Sequence, residues 1–128
     1  MTRALALLTL LAACAAAPRG PSVAPGEVAT DAEGRCWAGT AGAARGEAAT
    51  FEALCPDALS PDFVSSLQRA LAARGLYDGA VDGLQGPGLG RAVRAFQSPL
   101  GLDSPVLSLR AARDLGLVPL SREEIARL

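Results

Sequence analysis

The stretch from Ala73 to Gly86, ARGLYDGAVDGLQG, gathers residue types that can do chemistry: two aspartates, four glycines and the single tyrosine of the chain. Acids among glycines suggest an ion loop. A calcium loop needs about six oxygen ligands with acids at alternate positions and a closing carboxylate. Here only Asp78 and Asp82 are present and nothing closes the loop. A phosphate loop needs Lys and Ser or Thr after its glycines, and neither follows. Two carboxylates can also cleave glycosidic bonds, but one must be buried to raise its pKa. Asp78 and Asp82 lie instead in a glycine-rich turn, where aspartate bonds local backbone. The chain has no His, so a Ser or Cys nucleophile lacks an imidazole base and the helical zinc-hydrolase motif is missing. The expectation is a protein that is not an enzyme, with no catalytic residue, no metal and no cofactor. Binding chemistry remains. Tyr77 offers a ring and a hydroxyl, and Asp78 offers acceptor oxygens. Arg91 and Arg94 offer forked donors for carboxylates. Against this, Tyr77 can cap a small core, and the arginines can form a solvated helix face.

Helices must position these residues. Ser60 and Pro61 supply an N-cap and a first helical residue. Phe63, Val64, Leu67, Ala70 and Leu71 then recur on one helical face. Gly75 stands where a left-handed cap is needed and Leu76 supplies its apolar closure. A second helix is expected from Pro87 to about Gln97, ended by Pro99. A third is expected over about Leu109 to Leu115, with Ser108 as cap and Gly116-Leu117 as stop. Ser121 and Glu124 have capping-box spacing for a last short turn of helix. A weak repeat at an offset of 26 pairs Leu67 with Val93, Leu71 with Gln97, Gly75-Leu76 with Gly101-Leu102 and Val81 with Leu107. The fold class expected is all-α, a small three-helix domain with a disulfide-closed segment before it.

The N-terminus, MTRALALLTLLAACAAAPRG, has a positive Arg3 and an apolar run over Ala4 to Ala13. That is signal-peptide length, short of the roughly 20 residues that span a membrane. Its end, Leu11 to Cys14, resembles the lipobox of bacterial lipoproteins, in which the Cys becomes the lipidated first residue. The competing cut after Ala15 to Ala17 would place Pro18 directly behind it. Lipidation of Cys14 also resolves the odd cysteine count, leaving Cys36 and Cys55 to pair in an oxidising compartment. Closing a loop of that size stabilises by about 3 kcal/mol in the chain-entropy model. The organisation expected is signal peptide 1–13, flexible tether 14–34, disulfide-closed loop or hairpin 35–56, main domain 57–118 and tail 119–128. Trp37 is expected to pack on the main domain, with ligand stacking as the alternative. The 128 residues carry a net charge of −1, which supplies no electrostatic case for nucleic acid.

Val64 to Leu102 resembles the three-helix peptidoglycan-binding domain that is appended to many bacterial cell-wall hydrolases. Val64, Leu67, Gln68 and Leu71 fit its first helix. Gly75, Tyr77, Gly79, Asp82 and Gly83 fit its turn. Gly86, Ala92, Val93, Phe96, Gln97 and Gly101-Leu102 fit its second helix and stop. Departures are Gln85 where the family carries Phe, Leu89 where it carries Thr, and the segment after Leu102. The resemblance implies a non-catalytic module that binds peptidoglycan. Its partners would be the wall and, through the Cys14 lipid, the periplasmic face of a membrane, the outer one favoured by Ala15. A second reading is a module that has lost wall affinity and docks a cell-wall hydrolase or envelope complex.

Overall fold

Three glycine-leucine dipeptides punctuate the helical half of the chain. Gly75, Gly101 and Gly116 all adopt left-handed backbone, at φ 72°, 77° and 74°. The following leucine in each case donates its N–H five residues back, Leu76 to Leu71, Leu102 to Gln97 and Leu117 to Ala112. This is the Schellman closure, and it satisfies carbonyls that a helix end would leave orphaned. The computed structural model that carries these features describes residues 20–41 and 49–128. The expected signal peptide, Cys14 and the first part of the expected tether lie outside the described residues, as does 42–48.

Helix α1 runs Pro61–Ala72, and the Ser60 hydroxyl accepts from the Phe63 N–H. Helix α2 runs Pro87–Gln97 and passes into a single 3-10 turn over Ser98–Leu100, the tightening expected where Pro99 cannot continue the helix. Helix α3 runs Leu109–Asp114 with the buried Ser108 as cap. Helix α4 runs Arg122–Ile125 and carries the full capping box of Ser121 and Glu124. Two hydrogen bonds from Ser121 hold the Glu124 carboxyl below its ordinary range, helped by Arg113 at 3.0 Å, which ties α4 to α3. The core between α1, α2 and α3 is aliphatic. It is built on Leu71, Val64, Leu67, Val93, Leu89 and Leu107, with Phe96 and Tyr77 packed against it. Truncating a side chain such as the fully buried Leu71 to Ala would cost about 2–5 kcal/mol.

The expectation of an all-α chain is overturned by a three-stranded antiparallel sheet. Strands β1 (Val28–Thr30), β2 (Cys36–Gly39) and β3 (Thr50–Ala53) lie in that order. The register places Val28 opposite Ala38 and Cys36 opposite Ala53. β1 falls inside the stretch expected as tether. The strands are three or four residues long, too short to show the alternation of large apolar residues by which a strand is read. Two long-range constraints hold them. The expected disulfide joins Cys36 to Cys55. Backbone bonds then fasten the sheet to the helices: Leu54 N–H donates to Leu107 O at 3.1 Å, and Ala41 N–H to Asp103 O at 3.0 Å. Thr40 Oγ1 reinforces the second by accepting from Asp103 N–H at 2.9 Å.

Trp37 differs from expectation. It points to the face of the sheet away from the buried Cys36 and Ala38, and packs against Gly20. Its indole N–H donates to Asp31 Oδ2 at 2.8 Å, and the Arg35 guanidinium stands 5.4 Å from its ring centroid. The Trp37 bond, with help from Arg35, holds the Asp31 carboxyl below its ordinary range against the opposing effect of desolvation. The ring is therefore a staple of the β1–β2 turn rather than a contact to the helical core.

Candidate functional site

Two glutamines organise the surface. Gln68 on α1 and Gln97 on α2 are both fully buried. Gln68 Oε1 accepts from the N–H groups of Asp82 and Gly83, each at 3.0 Å. Its Nε2 donates to Asp82 Oδ1 at 2.8 Å and Leu84 O at 3.1 Å, with Tyr77 Oη a longer partner at 3.3 Å. Gln97 Oε1 accepts from Ser108 N–H at 2.7 Å, and its Nε2 donates to Ser104 O at 3.1 Å and Val106 O at 2.9 Å. Each side chain thus satisfies backbone groups in the loop after its own helix. The residues around the two glutamines repeat at an offset of 29: VSSLQRAL from Val64 and VRAFQSPL from Val93. The offset of 26 read from the sequence aligns the Gly-Leu caps instead. The N-caps Ser60 and Gly86 keep that same offset of 26, so Gln97 lies further along its helix, and nearer its Gly-Leu cap, than Gln68 does.

The expected site residues separate. The half-buried Tyr77 packs on the core, and its hydroxyl donates to Ala80 O at 2.8 Å. Asp82 is bound to Gln68 and to the Leu84 N–H, and the Gln68 bond holds its carboxyl below the ordinary range. Asp78 is exposed, with no hydrogen bond or ion pair among the described residues. Arg91 is exposed beside Tyr77: a Cβ built on Gly88 would stand 3.8 Å from Arg91 Nη2 and 3.9 Å from Tyr77 Cε2. Arg94 is paired with Asp103 at 3.0 Å, both about half exposed. Tyr77 and Arg91 therefore share a patch, while Arg94 stands apart from it on the Asp103 side of α2. Cys36 and Cys55 are joined, and Cys14 lies outside the described residues. Among the described residues no group of three His, Cys, Asp or Glu side chains comes together as metal ligands would.

A cleft of about 410 Å³ lies where the sheet meets the helices. Its floor is buried aliphatic surface from Val64, Leu67, Leu89, Val93 and Leu107. Val28 and Leu54 form the sheet side, Pro56 and Leu59 the segment before α1. Gln85, Gly86 and Pro87 form one rim, and Pro105 and Val106 the other. Both rims adjoin loops held by the buried glutamines. Gln68 holds Asp82 to Leu84, directly before the first rim, and Gln97 holds Ser104, Val106 and Ser108 around the second. Gly90 lets the walls approach, since a Cβ there would meet Pro105 Cβ at 3.3 Å. Sequence reasoning finds the first rim as a turn and misses the cleft, because part of its wall, Val28, Leu54 and residues 105–107, comes from far along the chain on either side of α1 and α2. The three prolines that line it, Pro56, Pro87 and Pro105, are visible in the sequence but scattered along it.

Residues 60–104 match the family model described as "Putative peptidoglycan binding domain". The match spans α1, the turn held by Gln68, α2 and the start of the loop held by Gln97. No curated protein and no solved structure matches the chain. The chain therefore carries a domain of the peptidoglycan-binding type over those residues, and the sheet and disulfide lie outside it.

Proposed function

We propose that this protein is a non-catalytic peptidoglycan-binding lipoprotein of the bacterial envelope. It would be held by a lipid on Cys14 at the periplasmic face of a membrane, the outer one favoured. The observation that carries the reading is the family match over 60–104, in a chain whose pattern residues Gln68 and Gln97 hold the loops beside the two rims of a cleft. An absence of His and a carboxylate, Asp82, used internally by Gln68 support a binding rather than a catalytic role. Co-sedimentation of the exported chain with purified sacculi tests wall binding, and retention no greater than that of an unrelated domain would refute it. Lipidation has its own readout: labelled fatty acid should enter the wild-type protein and be lost in Cys14→Ser. Labelling that persists in the variant would remove the anchor from the proposal.

A further inference from the structure

The cleft has a chemistry that discriminates between the two halves of peptidoglycan. None of its lining residues is charged or aromatic, and Gln85 is the one polar side chain among them. A glycan strand presents hydroxyls and amides, which lose water on entry and need fixed hydrogen-bonding partners in return. The second rim has little to offer them. Its carbonyls at Ser104 and Val106 are taken by Gln97, Leu107 O is taken by Leu54, and the Val106 N–H is taken by Ser104 Oγ. Sugar recognition also draws on aromatic platforms, and here Trp37 is turned to the far face of the sheet. Methyl groups, by contrast, gain from an aliphatic floor with rigid proline rims.

The charges beside the cleft complete the pattern. Arg91 follows the lining Pro87 by four residues and reaches toward Gly88 and Tyr77, just beyond the first rim, while Arg94 follows the lining Gly90 by four and turns to Asp103, beside the second rim. Arg91 has no ion-pair partner among the described residues, and Arg94 shares its charge with a half-exposed Asp103 that a ligand carboxylate can replace. An uncharged apolar slot bordered by arginine fits a ligand of small aliphatic side chains and free carboxylates.

We propose, resting on the wall-binding reading above, that this cleft takes the alanine-bearing peptide stem of peptidoglycan rather than its glycan strand. Alanine methyls occupy the floor formed by Leu67, Leu89, Val93 and Leu107, and stem carboxylates pair with Arg91 and Arg94. The sheet contributes one wall, so the site needs residues on both sides of the matched segment.

The test compares the exported chain, carrying Cys14→Ser, on intact sacculi and on sacculi stripped of their stems by an amidase. A soluble stem pentapeptide serves as competitor. Retention should fall at least tenfold on stripped sacculi, and the pentapeptide should displace the protein from intact ones. Equal retention on both materials would overturn the stem assignment while leaving wall binding intact. Retention on neither would overturn the wall-binding reading and the assignment with it. Val28→Trp fills the cleft from β1, and the double charge reversal Arg91→Glu/Arg94→Glu alters only exposed positions. Each should lower retention on intact sacculi about tenfold without changing the far-UV circular dichroism. Should the tryptophan variant fail to fold, the charge reversal decides alone, and wild-type retention there overturns the assignment.

Discussion

The loops after α1 and α2 solve one problem in two environments. Both are held by a buried glutamine from the preceding helix, and both begin with a Gly-Leu cap. The loop after α1 turns outward. Asp82 and Leu84 are exposed, and Gln68 reaches a carboxylate and a hydroxyl as well as backbone. The loop after α2 turns inward. Ser104 and Ser108 are buried, and every partner of Gln97 is backbone. The difference teaches that a shared sequence signal fixes the staple but leaves its energetic worth to the surroundings. Water reaches the exposed Asp82 and Leu84 of the first loop more readily than the buried Ser104 and Ser108 of the second.

Replacing each glutamine by methionine, which keeps the volume and removes the hydrogen bonds, gives the largest effect. Gln97→Met strands buried backbone groups and should cost about 3 kcal/mol or more, whereas Gln68→Met should cost about 1–2 kcal/mol because water repairs part of the loss. Urea unfolding measures both, and an equal cost would break the contrast. The caps should behave alike. Gly75 and Gly101 have left-handed φ and nothing within 4 Å of a built Cβ, so Ala at either brings backbone strain alone. Each should lose about 1–2 kcal/mol by the same measurement. A clear inequality would show that the two caps are not equivalent.

The smallest effect is one of pH. Asp82 has its native pKa lowered, first by the Gln68 side chain and then by the Leu84 N–H. A carboxyl with a depressed native pKa adds stability that is complete above its unfolded value, about 3.9. That stability is lost as the pH falls through the lowered native value. Thermal unfolding followed between neutral and acid pH should therefore show a limb below about pH 4 that weakens in Asp82→Asn and Gln68→Met. The same limb should persist in Gln97→Met, whose loop offers no carboxylate to its glutamine. An Asp82→Asn profile that overlays wild type would remove the titrating group from the first loop.

Much of the helical half was legible from short-range signals. Ser60, Ser108 and Ser121 cap the helices expected of them, α2 has the bounds read from Pro87 and Pro99, and the Gly-Leu stops close as read. These features work through bonds that reach three to five residues, so the residue types near each position suffice to specify them. The pairing of Cys36 with Cys55 was legible by counting. The same local reading made Asp78 and Asp82 equivalent, and only the fold separates the exposed residue from the one bound to Gln68.

What the amino-acid sequence determined alone is thus the helices, their ends, the disulfide and the family of the segment 60–104. The tertiary structure decided the sheet, the outward turn of Trp37, the division of labour between the two glutamines and the cleft itself. Each of these depends on partners far apart in the chain: Leu54 meets Leu107, Thr40 meets Asp103, and Val28 faces the same hollow as Val93. Strands this short carry little pattern of their own, and they become strands only where a disulfide and a neighbouring loop supply the missing partners.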